Sequence, residues 1–177
     1  MITSFDDISL LDLIESNIDY AIQSMPEPVR GNKEAVAEIM ENNVRSKIVE
    51  EHLLDPKYFE KMSILLQELI EARKRETISY QEYLIQMAAL VKQVNRGKED
   101  GVPKSLNTKG KVAIYHIVEN EELALVCDEA VQYAKQDGFR ENAMKQRKVK
   151  KAIKDVLHDE DLAEKIYQII ETHKDEY

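Results

Sequence analysis

The chain has 177 residues, of which 43% are hydrophobic and 33% charged, with no Trp, five Gly and four Pro. Few helix breakers and many helix formers favour an all-α fold, and this length suits one domain. The formal net charge of -9 excludes a surface that attracts nucleic acid as a whole, so any such contact needs a local basic patch. We predict a single helical domain over residues 1–177.

Cysteine usage and the N-terminal residues bear on the compartment. Cys127 is the only cysteine, which excludes an internal disulfide and a thiolate zinc site within one chain. The first thirty residues carry six acids and one Arg instead of the basic start and apolar run of a signal peptide. No segment approaches the roughly 20 apolar residues of a membrane span. We therefore expect a cytoplasmic protein with no membrane partner.

The first predicted helix has apolar residues three or four positions apart. They are Phe5, Ile8, Leu11, Ile14, Ile18, Ile22 and Met25. Asp6, Asp7 and Asp12 fall where a helix N-terminus favours negative charge. The helix should end before Pro26, because proline lacks the backbone donor and disfavours the helical conformation of the preceding residue.

Two long helical patterns follow, separated by Asp55 and Pro56. Asn32 is a predicted N-cap of the first, and Pro56 suits the first position of the second, with Asp55 as its cap. The apolar stripes are Val36, Ile39, Met40, Val44 and Ile48 in the first pattern, and Tyr58, Met62, Leu65, Leu69 and Ala72 in the second. A short connection between amphipathic helices predicts an antiparallel hairpin from Asn32 to Thr77.

The next pattern begins with Ser79 and Glu82 at the spacing of a capping box. It should end near Gly97 and bury Tyr83, Met87, Leu90, Val91 and Val94. The segment from Gly97 to Lys111 contains three glycines and Pro103, which predicts a flexible loop at about residues 97–111.

The last third contains further helix starts at Thr108, Asn120 and Asp159, with Gly138 closing the helix that begins at Asn120. The predicted buried side of that helix is Leu123, Val126, Cys127, Ala130, Val131 and Ala134. Together the patterns predict about eight helices. The expected architecture is an all-α, orthogonal or up-down helical bundle built on the long antiparallel hairpin.

Motifs for chemistry are scarce. The pairs Gly97-Lys98 and Gly110-Lys111 lack the following Ser or Thr of a phosphate-binding loop, and no Glu-x-Lys unit of a common metal nuclease occurs. None of the four histidines (His52, His116, His158 and His173) has the i, i+4 histidine partner of a helical zinc site. Cys127 lies on an apolar face, so we expect a buried side chain rather than a nucleophile.

One segment departs from the acidic balance. From Phe139 to Leu157 there are seven basic and two acidic residues, a net charge of +5. The basic residues are Arg140, Lys145, Arg147, Lys148, Lys150, Lys151 and Lys154. The inward apolar face of this helix leaves them available to phosphates or to an acidic partner, and the alternative is a solvated face that balances acids elsewhere.

Six short segments occur in a recognisable order along the chain, at residues 34–38, 41–45, 55–62, 105–108, 136–140 and 148–153. In this order they resemble the C-terminal helical domain of the motor and restriction (R) subunit of type I restriction enzymes. The resemblance extends from about Ser4 to Tyr177. It implies that the chain is the C-terminal fragment of a larger subunit, an ATP-dependent type I site-specific deoxyribonuclease whose upstream domains would use ATP and Mg. For this fragment it implies no cofactor.

The resemblance also implies a function. The fragment would be a non-catalytic assembly domain that docks the DNA translocase and endonuclease onto the methyltransferase and specificity subunits. The alternative is an auxiliary domain that binds duplex DNA through the basic helix at residues 145–154. The candidate interface or DNA-contact residues are the seven basic residues above (Arg140, Lys145, Arg147, Lys148, Lys150, Lys151 and Lys154) together with Asn42, Asn43 and Arg45.

Overall fold

The computed structural model describes residues 4–5 and 8–177. Its described helices confirm the all-α class. A two-residue antiparallel strand pair, β1 (Ser4–Phe5) with β2 (Ile8–Ser9), precedes them. The α-helices are α1 (Leu10–Ser16), α2 (Ile18–Gln23), α3 (Glu27–Arg30), α4 (Lys33–Glu51), α5 (Pro56–Lys74), α6 (Tyr80–Arg96), α7 (Lys109–Val118), α8 (Glu121–Ala134), α9 (Ala143–Leu157) and α10 (Glu160–Thr172). Short 3-10 turns occur at His52–Leu54 and Phe139–Glu141.

Over the described residues there are ten α-helices where the sequence predicts about eight. The first predicted helix is divided because Asn17 adopts an extended backbone that ends α1, and its side chain accepts the Tyr20 amide at the start of α2. The segment after Pro26, predicted as a connector, forms the single turn α3. Asp6 and Asp7 lie outside the described residues, as do the side chains of Phe5 and Ile8.

The described chain divides into two compact units. The first unit contains the described residues up to Glu51 together with Phe59–Glu99, and the second contains His52–Tyr58 together with Asp100–Tyr177. The connection between α4 and α5 thus packs with the second unit. The assignment of residues 1–177 to a single domain stays a prediction.

The core of the first unit follows the predicted apolar stripes closely. In α6 all five predicted residues are buried, and in α4 Val36, Met40, Val44 and Ile48 are buried. In α5 the predicted Tyr58, Met62 and Leu69 are buried, whereas the predicted Leu65 and Ala72 are only half-buried. The buried face also includes Leu66 and Ile70, which the predicted stripe leaves out. Periodicity therefore identifies the buried faces of α4 and α6 and most of the buried face of α5.

The predicted helix starts around the hairpin are confirmed. The Asn32 side chain accepts the Ala35 amide at 3.1 Å, and the Asp55 carboxylate accepts the Tyr58 amide at 3.2 Å. Pro56 is the first residue of α5. Both helices of the proposed hairpin are present, and their antiparallel packing stays a prediction.

The second unit has its own core, formed by α7 to α10. Its buried side chains include Leu106, Ile114, Cys127, Val131, Phe139, Val149, Ile153, Ile166 and Ile170. The side chains of Thr108, Asn120, Asn142 and Asp159 accept hydrogen bonds from backbone amides in the first turns of these four helices. The predicted caps Thr108, Asn120 and Asp159 are therefore confirmed, whereas Asn142 has no counterpart among the predictions.

The prediction for Val126 is wrong, since this side chain is 42% exposed. The buried face of α8 is rotated toward Asp128, which is buried and accepts a hydrogen bond from the Tyr177 hydroxyl. Val126 lies two positions from both Ala124 and Asp128, about 200° around the helix axis, and so points away from the core.

The segment at residues 97–111 is anchored at its centre by Leu106, which is 2% exposed. Near its end, the Gly110 amide donates to both oxygens of the Glu176 carboxylate, at 2.9 and 3.1 Å. A Cβ atom at position 110 would lie only 2.8 Å from the Tyr177 ring. The close approach of the Tyr177 ring thus explains why a glycine stands in the first turn of α7. The flexibility of the loop stays a prediction.

We expect Gly110→Ala to lower the free energy of unfolding by about 1–3 kcal/mol, since an added methyl group would overpack the contact with Tyr177. Urea denaturation followed by circular dichroism measures the change. Gly31→Ala is the matched control, because a Cβ atom at position 31 would lie 3.9 Å from its nearest neighbour, the Glu27 carbonyl oxygen. Equal stability of the two variants would contradict the close approach at Gly110.

Candidate functional site

The helix α9 carries most of the predicted basic residues. Its start is fixed by the Asn142 side chain, which accepts hydrogen bonds from the backbone amides of Met144 and Lys145. Its inward face is fixed by Val149 and Ile153, both fully buried. Side chains three, four and seven positions apart share one face of a helix. The exposed residues Met144, Arg147, Lys148 and Lys151 therefore form one stripe, which we call the α9 outer face.

Three lysines of α9 are engaged in ion pairs that are largely exposed to solvent. The pairs are Lys150 with Glu164 at 3.2 Å, Lys151 with Asp155 at 2.6 Å, and Lys154 with Glu160 at 3.4 Å. Exposed pairs of this kind contribute only about 0–1 kcal/mol each, so a partner can replace the internal carboxylate at low cost.

Arg147 and Lys148 differ from these lysines. Both side chains are exposed, and neither has an ion-pair or hydrogen-bond partner among the residues that the structure describes. They are adjacent in α9, which concentrates two free positive charges near Met144. Of the predicted basic contacts, these two are the most available to another molecule.

Arg140 has a different environment from the rest of the predicted patch. Its guanidinium is half-buried and donates to the carbonyl oxygens of Ile170 at 2.8 Å, Glu171 at 3.4 Å and Tyr177 at 3.1 Å. Lys145 likewise donates to the Asp137 carbonyl at 2.6 Å. Arg140 therefore ties the end of α10 to the turn before α9, and its charge is used inside the unit.

The predicted polar contacts in α4 belong to the first unit. Asn43 donates to the carbonyl of Ile39 at 2.8 Å and is half-buried. Arg45 and Asn42 are exposed and form a 3.4 Å hydrogen bond with each other. Of these three residues, Asn42 and Arg45 thus present polar atoms at the surface, and their role at an interface stays a prediction.

A buried charge cluster in the first unit has no counterpart among the predicted sites. Glu41 accepts bonds from the Arg73 guanidinium at 2.7 and 3.2 Å and from the Tyr83 hydroxyl at 3.0 Å. Burial opposes the charged form of Arg73, but hydrogen bonds to Glu41 and Glu34 outweigh it and raise the pKa of Arg73. Burial, with the charge of Glu41, also raises the pKa of Tyr83. The cluster joins α4, α5 and α6.

A second buried pair, in the second unit, holds the connection between α4 and α5. Asp55 accepts from His116 Nδ1 at 2.5 Å, and the His116 ring stacks on Tyr58 with centroids 5.1 Å apart. His116 Nε2 is buried without a hydrogen-bond partner among the described atoms. Because Asp55 also caps α5, one carboxylate fixes both the helix start and its contact with α7.

His173 anchors the same connection from another side. Its Nε2 lies 2.7 Å from the Leu54 carbonyl oxygen, and its Nδ1 lies 2.7 Å from a Glu176 carboxylate oxygen. These contacts join residues 52–58 to the segment after α10.

Cys127 is fully buried in the second unit, which confirms the predicted environment of its side chain. Burial, with the charge of the adjacent Asp128, raises the pKa of the Cys127 thiol to about 11. The thiolate is the nucleophilic form of cysteine, so the folded chain holds this group in its unreactive form at neutral pH.

We expect the stability of the folded chain to fall between pH 9 and pH 10, by about 1 kcal/mol from Cys127 alone. The folded thiol has the raised pKa, so the unfolded chain releases its proton first and is favoured as pH rises through that range. Cys127→Ala should flatten this slope in urea denaturation series at the two pH values. An unchanged slope would show that the thiol ionises equally in both states.

Among residues 4–5 and 8–177, no group of three or more His, Cys, Asp and Glu is placed to hold a metal ion. In the same part of the chain, no helix is long and apolar enough to cross a membrane. The α9 outer face, with its free Arg147 and Lys148, is the main candidate site, alongside buried polar clusters that join helices. The chain matches no family model, no curated protein and no solved structure.

Proposed function

We propose that this chain is a non-catalytic assembly domain of a type I restriction enzyme R subunit. It would dock the ATP-dependent DNA translocase and endonuclease onto the methyltransferase and specificity subunits. The observation that carries the proposal is the α9 outer face, a cationic stripe with an exposed methionine in a chain of net charge -9. The segments that resemble the R subunit, taken in their order along the chain, supply the identity of the partner.

The buried polar residues support a structural role for the rest of the chain. Glu41 links three helices of the first unit, and Asp55 links α5 to α7 in the second. Asp128 accepts from Tyr177, and His173 lies between Leu54 and Glu176. In each case the ionisable group is engaged in contacts that join separate segments, which is a structural role.

The proposal is tested by comparing two forms of the R subunit from the same system, one complete and one lacking this domain. Each is mixed with the methyltransferase and specificity complex and passed over a size-exclusion column. We expect only the complete subunit to co-elute with the complex. Co-elution of the shortened subunit at the same concentrations would overturn the proposal.

A second candidate function is binding of duplex DNA through residues 145–154. The free charges of Arg147 and Lys148 favour it, since cations without internal partners can contact phosphates. Fluorescence anisotropy with a labelled duplex at low salt would then show binding that weakens with salt. Replacing Arg147 and Lys148 by Ala should reduce the salt dependence by about two ion-release equivalents. No binding at low salt would remove this candidate.

A further inference from the structure

We infer that the α9 outer face is the docking surface of this domain and that its occupant is an acidic protein segment with an apolar side chain beside its carboxylates. The inference rests on the proposed function and names the contact that performs it. It concerns Met144, Arg147, Lys148 and Lys151 together.

The geometry of the stripe suits a single segment of a partner. Met144, Lys148 and Lys151 are spaced by four and then three residues, with Arg147 beside them, so they follow one side of α9 for about 10 Å. Met144 is 72% exposed. It lies between Asn142, which caps α9, and the charged residues of the stripe. A flexible, polarizable methionine side chain adapts readily to an apolar group of a partner.

Charge complementarity specifies the sign of the partner. Arg147 and Lys148 have no partner among the described residues, and the Lys151 side chain is 74% exposed in its pair with Asp155. Carboxylates placed over the stripe would gain two unpaired cations at once and could compete with Asp155 for a third. An arginine additionally offers a fork of donors that binds a carboxylate with two hydrogen bonds.

The surroundings of the stripe favour a protein segment over duplex DNA. Asp155, Glu160 and Glu164 lie beside the lysines of α9 and would stand near phosphates on a duplex. A duplex also carries one negative charge per about 1.7 Å, which calls for an extended cationic track, whereas the stripe offers two free cations. A short acidic segment needs only the two free cations, and its apolar side chain can contact Met144.

The test compares two double variants of the complete chain that change its net charge equally. Arg147→Glu with Lys148→Glu reverses the stripe, whereas Lys92→Glu with Lys174→Glu reverses two exposed lysines elsewhere. Binding to the methyltransferase and specificity complex is measured by biolayer interferometry at two salt concentrations. We expect the first variant to bind at least about tenfold more weakly and the second to bind within about twofold of the unaltered chain. Circular dichroism confirms that both variants are folded.

A photo-crosslinking residue in place of Met144 identifies the molecule that covers the stripe. A cross-link to a methyltransferase or specificity chain, in the presence of duplex DNA, supports the inference, and a cross-link to the DNA overturns it. Equal binding by both double variants overturns the assignment of the face but leaves the proposed function standing. Absence of binding by the unaltered chain overturns the proposed function itself.

Discussion

Glu41→Ala should lower the free energy of unfolding by about 3–5 kcal/mol, the range for removing one partner of a buried ion pair. The substitution leaves the Arg73 guanidinium, whose side chain is only 11% exposed, without its two bonds to the carboxylate. It also removes the acceptor of the buried Tyr83 hydroxyl. Urea denaturation monitored by circular dichroism measures the loss.

The control for this prediction is Glu38→Ala, which removes an exposed acid from the same helix and should change stability by less than about 0.5 kcal/mol. A double-mutant cycle with Arg73→Ala adds a further check. The second substitution should cost less in the Glu41→Ala background than alone, because Arg73 has then already lost its bonds to Glu41 and keeps only the bond to Glu34. Additive losses would contradict a coupled Glu41–Arg73 pair.

Asp55→Ala should lower the free energy of unfolding by about 2–4 kcal/mol, through loss of a helix cap and of the buried acceptor of His116. Hydrogen exchange should also speed up at residues 52–58, since Asp55 fixes this connection to α7. Chemical denaturation and exchange mass spectrometry measure the two effects.

Asp159→Ala is the matched control for Asp55→Ala. Asp159 caps α10 by accepting the Leu162 amide at 3.0 Å, but it is exposed and no hydrogen bond or ion pair joins its side chain to a buried group among the described residues. Its replacement should cost about 1 kcal/mol, the usual value of a cap alone. Equal losses for the two variants would mean that the Asp55–His116 contact adds nothing to stability.

Local signals in the sequence account for much of the fold. Six predicted helix caps are confirmed, namely Asn32, Asp55, Ser79, Thr108, Asn120 and Asp159. They are predictable from the sequence because each side chain bonds a backbone amide only three residues away. The buried stripe of α6 is confirmed because its apolar residues repeat at the helical period along the whole helix. The division at Asn17 escapes prediction because a cap residue inside an apolar pattern has no signal beyond its own side chain.

The buried polar contacts could not be predicted, because their partners are distant in the chain. Arg73 lies 32 residues from Glu41, and His116 lies 61 residues from Asp55. Such pairs form only after packing has brought separate helices together. The rotated face of α8 has the same cause, since Asp128 is buried through its contact with Tyr177, 49 residues away.

The sequence predicts the basic segment but not which of its charged side chains are paired and which are free. The i, i+4 spacing of Lys151 and Asp155 makes that pair foreseeable. Glu160 and Glu164 meet Lys154 and Lys150 only after α10 folds back on α9, and Arg140 finds its carbonyl partners in the same way. Packing thus reduces seven equivalent cations to two free ones among the described residues, Arg147 and Lys148.

The most direct test of the assembly function is isothermal titration calorimetry. This chain alone is titrated into the methyltransferase and specificity complex, without ATP or DNA. We predict saturable binding that weakens as salt is raised and that weakens at least about tenfold on reversal of the charges at Arg147 and Lys148. Absence of heat and of any complex at micromolar concentrations would contradict the assembly function.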